Sequence, residues 1–430
     1  MNDQDTELLE HLQRQALRYF VDLAQPANGL VADSTWEGSP ASIAAVGFAL
    51  SVYLVAVERG WLARVEGEER VLATLRFLAK SHQGPEPDAT GYRGFYYHFL
   101  DMQSGQRAIG SELSTIDTTI LMAGILSASL YFDREGAGER EIRRLADALY
   151  RRIDWQWALD GGEAVRHGWT PEGGFLYHRW YGYDEGLLLY LLGLGAPEQP
   201  LPEASYDAFT STYRWEAYYG QQIVYAAPLF IHHFPHVWVD FRGIQDDFMG
   251  RQGMDYFENS RRATLMHQQH AIQNPHGMKD YGENTWGITA SEGPIGGTEP
   301  VEMDGRRFYG YLARGVPEPD DGTLSPWTAI TSLPFAPEIA LPAIRHYLAS
   351  YPQLLGEYGL RCSLNPSWRG EAGEEAGWFS GHYYGINEGP VVLMIENYRS
   401  GFLWELMKRS PYLIAGLQRA GFRRGWLGEG

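Results

Sequence analysis

Three stretches of this chain put carboxylates at the foot of apolar runs. "GYDEGLLLYLLGLG" brings Asp184 and Glu185 together ahead of an uncharged segment, and "GSELSTIDTTILMAGIL" places Glu112 just before another, with Asp117 inside its first turn. "YYGINEGPVVLMIENY" sets Asn387 and Glu388 ahead of Pro390 in the same manner. Glycosidic bond cleavage needs two carboxyl groups flanking the scissile bond. One is a protonated donor to the leaving oxygen, and the other is a base or nucleophile. Burial and like-charge neighbours can keep one of two such acids protonated near neutral pH. A single acid at a helix start has a plainer role, because it satisfies free N–H groups and complements the helix dipole. Ser114-x-x-Asp117 resembles a capping box in that sense. Acids recurring at three helix starts, paired at two of them, exceed what capping needs. Glu185, Asp117 and Glu112 are therefore the candidate catalytic residues, with Asp184, Asn387 and Glu388 beside them.

Other polar groups are candidates for holding a sugar. Aromatics at Trp36, Tyr96, Tyr97, Trp180, Tyr181, Tyr183, Trp238, Tyr281, Trp286, Tyr383 and Tyr384 offer flat faces for stacking on pyranose rings. "DFRG" sets Asp240 beside Arg242, either as a sugar-binding pair or as a structural ion pair. "PLFIHHFPH" holds His232, His233 and His236, but Pro235 disrupts helical i,i+4 geometry and no HExxH motif follows. These histidines read as neutral imidazoles hydrogen-bonding in the funnel, His236 among the substrate-binding candidates, and no metal is expected. Cys362 is the lone cysteine, which excludes an intramolecular disulfide and a cysteine-based zinc site. Phosphate-binding loops, dinucleotide fingerprints and nucleophile elbows are absent, so no cofactor is expected.

The elements that must position these residues are helices of two kinds. Amphipathic, charged segments fall at about 5–24, 68–81, 137–155, 204–218, 251–273, 337–351 and 410–421. In "EIRRLADALYRRIDWQW", Ile142, Leu145, Leu149 and Ile153 share one face, with arginines opposite. Segments apolar on nearly every face fall at about 39–58, 115–132, 185–194, 222–234, 325–333 and 388–408. A helix apolar all round is buried on all sides. Six buried helices alternating with amphipathic ones read as an all-α, (α/α)6 toroid forming one domain over residues 1–430. Its parallel inner helices would gather their N-termini, and the acids with them, at one mouth. The uncharged run Gly38–Val57 reads as a soluble helix opened by Ser39 and Pro40, not as a membrane span. "GGFLYHRWYGY" and "HVWVDFRG" read as short hairpin pieces over the mouth, and the Gly/Pro-rich stretch 274–323 as a functional loop.

Aromatic residues make up 14% of the 430-residue chain, which suits both a large core and sugar stacking. A net charge of −19 repels phosphate backbones and anionic lipid, which argues against nucleic acid or a membrane surface as partner. It is compatible with a neutral substrate. The polar, acidic start "MNDQDTELLEHLQRQ" is unlike a signal peptide, so a cytoplasmic location is expected.

Seven stretches in order carry a family resemblance: "STIDTTILMAGIL", "GYDEGLLLYLLGLG", "PLFIHHFPHVWVDFRG", "DYFENSRRATLMHQQHAIQNP", "YGENTWGITASEGP", "DDGTLSPWTAITSLPFAPE" and "INEGPVVLMIENYRSGFLWELM". Together they resemble the glycoamylase-like family, which includes the endo-β-1,2-glucanases of glycoside hydrolase family 144. They are also similar to the transglycosylase domain of cyclic β-1,2-glucan synthases. The resemblance implies the toroid and action on β-glucans, β-1,2-glucan first. It implies a proton donor at Glu185 and a second acid on the helix that carries Asp117. With the family motifs, the acids leave Trp180, Tyr183, Asp184, His236, Asp240, Arg242, Glu283, Asn284, Trp286, Asn387 and Glu388 to hold the sugar. One departure stands out: the family's GIDQGP reads "GINEGP" here, so an amide, Asn387, replaces an acid. The resulting expectation is a β-glucan glycoside hydrolase. A retaining transglycosylase, an inactive glucan-binding protein and a polysaccharide lyase are the alternatives, the last disfavoured by the acidic charge.

Overall fold

The computed structural model describes residues 3–370 and 377–428, and among them the chain is mostly helical with a few short strands. The helices are α1 (Asp3–Asp22), α2 (Ile43–Glu58), α3 (Arg64–Lys80), α4 (Thr115–Tyr131), α5 (Ala137–Arg151), α6 (Gly186–Gly195), α7 (Glu203–Thr210) and α8 (Phe234–Trp238). There follow α9 (Asp247–Arg251), α10 (Tyr256–Gln273), α11 (Trp327–Thr331), α12 (Pro337–Ser350), α13 (Gly385–Ser400), α14 (Phe402–Met407) and α15 (Pro411–Arg419). None of the described helices is long and apolar enough to cross a membrane.

The two expected kinds of helix separate in space. α2, α4 and α6 are buried along almost their whole length, as their uninterrupted apolar character requires. α11, α13, α2, α4 and α6 lie side by side in that order. Outside them, α1 packs on α13, α3 and α5 cover α2 and α4, α12 covers α11, and α15 lies against α6. The tightest seam joins α2 and α4. A Cβ added to Gly47 would lie 2.5 Å from the Ile120 carbonyl oxygen, and one on Gly124 would strike the backbone of Gly47. Only glycine lets the two backbones meet so closely. Farther along the seam, the Ser51 and Ser127 hydroxyls are 2.9 Å apart.

Strands feed directly into these inner helices. Ala41–Ser42 pairs with Phe99–Leu100 and runs into α2. Leu113–Ser114 is the central strand of a five-stranded antiparallel sheet, flanked by 95–97 and 168–170, and runs into α4. Each entry is capped by a serine: Ser42 Oγ accepts from Ala45 N and Ser114 Oγ from Asp117 N. α2 therefore begins four residues past Ser39, at Ile43, with Ser42 and not Ser39 as its cap. The third entry uses backbone alone, the Asp33 carbonyl accepting from Gly385 N at 2.8 Å to start α13.

Several segments differ from the sequence expectation for identifiable reasons. The apolar segment 222–234 is no continuous helix. Tyr219 and Gly220 both take positive φ (51° and 79°), closing a hairpin between Trp215–Tyr218 and Gln221–Val224. That is the turn geometry that matches strand twist, and Pro228 and Pro235 then permit only a short 3₁₀ turn and α8. The same hairpin ends α7 at Thr210. "HVWVDFRG" is no hairpin strand, because it begins inside α8. The segment 388–408 splits into α13 and α14 at Gly401, whose φ of 69° ends the first helix in a left-handed cap. The stretch 274–323 is organised by short strand pairs, Ala290–Ser291 with Leu312–Ala313 and Val301–Met303 with Arg306–Phe308.

Candidate active site

The N-terminal ends of α4, α6 and α13 meet at a cavity of about 400 Å³. Asp117, Glu185 and Asn387 line it, joined by Asp33, His98, Tyr311 and Tyr384, over a floor that includes Phe230, Phe234, Ile120 and Trp327. Its size and its apolar floor with few convergent polar groups are those of a small-ligand site.

The two acids of the α6 entry divide the labour. Asp184 Oδ1 accepts from Gly186 N at 2.8 Å and so performs the capping. Glu185 occupies the N-cap position but makes no side-chain cap bond, and its carboxyl is left to face the cavity. Burial raises the Glu185 carboxyl to about 7, with the charge of Asp117 adding to the effect. Asp184 is also held well above the usual carboxylate range, by burial and then by Glu185. This pair therefore favours a protonated carboxyl near neutrality.

Asp117 is fixed from two sides. Its backbone N–H donates to Ser114 Oγ (3.1 Å), and its Oδ2 accepts from the same hydroxyl (2.5 Å). His98 Nε2 lies 3.7 Å from Asp117 Oδ2, and His98 Nδ1 lies 3.0 Å from Glu112 Oε1. Burial opposes the charge on His98, but Asp117, Glu112 and Asp33 outweigh it and lift the imidazole to about 9. The same contact draws Glu112 below its ordinary value against the effect of burial. Glu112 is thus a partner of His98, one step behind the cavity lining. Asp33 is raised by burial to about 6, with His98 lowering it and Asp117 raising it. His98 is the only group among the described lining residues that can carry positive charge, set against Asp33, Asp117 and Glu185. Anionic substrates are poorly served by such a lining, and a neutral sugar is well served.

Asn387 and Glu388 face different ways. Both lie in the first turn of α13, where successive residues rotate by about 100°. Asn387 turns to the cavity and donates from Nδ2 to Cys362 Sγ at 3.4 Å. Glu388 turns to the packing beside α1 and Gly359, where its Oε1 has no hydrogen-bond partner and burial raises its carboxyl. It does not join the cavity acids.

Most of the expected sugar-holding residues belong to the core. His236 is fully buried and bonded to Ser260 Oγ at 2.9 Å, His232 to the Ala226 carbonyl at 3.1 Å and His233 to Thr331 Oγ1 at 2.8 Å. Burial lowers all three, His232 to about 4 and His236 to about 3, so they are neutral structural imidazoles outside the cavity lining. Asp240 is an ion-pair centre, with Arg242 Nε at 2.7 Å and Lys408 Nζ at 2.8 Å, and the Arg242 guanidinium lies over Trp404. Trp180 donates to Thr115 Oγ1 and stacks on His167. Tyr183 packs among Tyr213, His232 and Tyr256. Trp286 is fully buried, Glu283 exposed and Asn284 half-buried, and none of the three lines the cavity. Of the aromatics, Tyr384 does, and Trp36 borders it: the indole stacks on His382 and donates to the Tyr384 hydroxyl.

Asp33, His98 and Tyr311 escaped the sequence reading. Asp33 repeats the pattern of an acid ahead of an apolar helix, but an intervening loop of "STWEGSPAS" separates it from α2. His98 and Tyr311 carry no spacing signal, since strand pairing alone brings them to the site.

Comparison with known proteins follows the same lines. A family model described as "Glycoamylase: Putative glucoamylase" matches residues 177–411. A Bacteroides uniformis ATCC 8492 crystal structure of the same description superposes with a TM-score of 0.87 at 30% identity over 100% of both chains. The endo-beta-1,2-glucanase from Chitinophaga pinensis, solved with sophorotriose and glucose, gives 0.83 at 25% identity over 97% of this chain and 98% of that one. The exo beta-1,2-glucooligosaccharide sophorohydrolase (non-reducing end) of Parabacteroides distasonis is 28% identical over 96% of this chain, which spans 58% of that protein's length.

Proposed function

The chain belongs to the Glycoamylase family, and from that membership and its cavity acids we propose that it is a glycoside hydrolase of β-linked glucans, with β-1,2-glucan as first substrate. The observation that carries this reading is a single cavity faced by an acid held protonated, Glu185, and a hydrogen-bonded carboxylate, Asp117. The two relatives that act on β-1,2-linked glucans support the linkage. The side-by-side inner helices and their outer covers support an (α/α)6 toroid spanning the chain as one domain, with α8 and α11 as its shortened inner members.

In this reaction Glu185 gives its proton to the glycosidic oxygen as the C–O bond breaks. Asp117 takes a proton from the water that attacks the anomeric carbon, directly or through a second water. Glu112 acts on His98, and His98 holds Asp117 in place. Asp33, Asn387, Tyr311 and Tyr384 contact the sugar. Asn387, an amide, gives and accepts hydrogen bonds and takes no proton.

The test is product analysis with β-1,2-, β-1,3- and β-1,4-glucans and matching oligosaccharides. Cleavage of the β-1,2 linkage with smaller sugars as the sole products is the expected result. Longer chains appearing beside shorter ones would reveal transfer, and unsaturated products a lyase. Binding without turnover would overturn the reading.

The pH dependence follows from the same groups. A general acid works below its pKa, so kcat/KM on the cleaved glucan falls as pH rises through about 7, where Glu185 loses its proton. Rates measured from pH 4 to 9 check this, and a profile flat across the neutral range contradicts the assignment.

A further inference from the structure

At the end of α10 a second set of ligand-type side chains converges. His270 stands in the last turn of α10, which Asn274 ends in a left-handed cap (φ 44°). The chain turns back there and brings His276 beside His270, their ring centroids 5.9 Å apart. Asp320 and Glu318 arrive from the far end of the stretch 274–323. The donor atoms of His270, His276 and Asp320 all lie within 4.8 Å of one another. His270 Nε2 is 2.8 Å from Asp320 Oδ2, with both side chains closed to solvent. His276 Nε2 is 3.2 Å from Glu318 Oε1, and its side chain is 34% exposed.

The outer partners are those that a metal site needs. A ligating histidine usually donates its other ring N–H to a fixed acceptor, and ligating carboxylates are themselves hydrogen-bonded. His270 Nδ1 lies 2.8 Å from the Tyr219 hydroxyl, which the Tyr219–Gly220 turn delivers. Asp320 Oδ1 accepts from the Tyr281 hydroxyl (2.7 Å) and from Gly322 N (2.9 Å), so Oδ2 is the atom left to face the histidines.

We propose that His270, His276 and Asp320 form a divalent transition-metal site of the zinc class, with Glu318 or solvent as the fourth ligand. Two imidazoles and a carboxylate are the donor set that suits Zn²⁺. Without an ion, a proton on His270 Nε2 bonds to Asp320 while Tyr219 donates to Nδ1. That pair is then complete, and His276 keeps Glu318 as its own partner beside it. On binding, the imidazole proton moves from Nε2 to Nδ1, so that the Nε2 lone pair goes to the metal and Nδ1–H donates to the Tyr219 hydroxyl, with no net proton released from the ring. The ion would tie α10 to both ends of the loop between residues 276 and 318, which carries Ala290 and Tyr311 of the cavity. Among the described residues, the other metal-type cluster, His98–Glu112–Asp117, lies in the candidate active site, where its groups are already used.

The experiment needs no glucan, so it stands apart from the hydrolase reading. The full chain is stripped with chelator, incubated with excess Zn²⁺, desalted and assayed for metal. About one equivalent is expected, together with a Zn²⁺-dependent rise in thermal midpoint. His276→Ala and His276→Gln, at a partly exposed position that tolerates change, lose both. Tyr219→Phe keeps the ligands and weakens Zn²⁺ roughly 10–100-fold in competition with a chromogenic chelator. His82→Ala, at an exposed His–Glu pair, changes nothing. Wild-type protein that emerges without zinc overturns the proposal. So does zinc retained equally by the His276 variants, or lost in His82→Ala.

Discussion

Glu185→Gln is expected to lower kcat on the cleaved glucan by about 10²–10⁴-fold, the range that a positioned general acid contributes. The substitution is nearly isosteric, and the capping bond to Gly186 comes from Asp184, so α6 should start where it does now. Binding should therefore survive, with KM or the Kd for an oligosaccharide changing little, while the chemical step fails for want of a proton. The alkaline limb near pH 7 should vanish from whatever activity is left. A variant with wild-type kcat removes Glu185 from the role of acid. One that loses sugar binding in proportion assigns it to positioning.

Asp117→Asn is the second large effect, a loss on the order of 10²–10⁴-fold in kcat/KM. An asparagine oxygen can still accept from Ser114 Oγ, and Ser114 still caps α4, so the local fold is retained. What disappears is the charge, and it has two readers. The attacking water loses its base. His98 also loses the charge that does most to raise its pKa, so the imidazole should titrate lower than in the wild type, visible by NMR of the His98 ring. Glu185 is released from the same repulsion, and its pKa should fall. The two shifts separate loss of a charge from simple misfolding, in which every ring would move. Full activity in Asp117→Asn would falsify its assignment as base.

Long-range architecture was legible where composition dictates burial. Runs such as "TTILMAGILSASL" can only be inner helices, and their foot is where Asp117 and Glu185 were found. Polarity was the poorer guide. His236 and Asp240 resemble site residues in one dimension, yet each is buried and satisfied by a partner distant in sequence, Ser260 and Lys408, while Arg242 pairs with the adjacent Asp240. A sequence contains no sign of such partners until the chain has folded. Glu388 shows the finer limit. One helical step turns it away from the cavity that Asn387 faces, and the phase of α13 depends on its start at Gly385, set by the Asp33 carbonyl. The fourth inner segment was misread because a positive-φ turn at Tyr219–Gly220 and two prolines overrule its apolar composition.

The glycine seam between α2 and α4 bears on the protein's local stability. Segments whose backbones are packed this closely, with no solvent-facing side, exchange their amide hydrogens only when the whole fold opens. Asp117 is anchored in the first turn of α4, so the base stands on one of the most closely packed parts of the fold. Tyr311 and Ala290, on the short strand pairs of the stretch 274–323, stand on ground with far fewer packed neighbours. A substrate could then be admitted and released by small local openings of that stretch, while the carboxylate that meets the water keeps its place through every cycle.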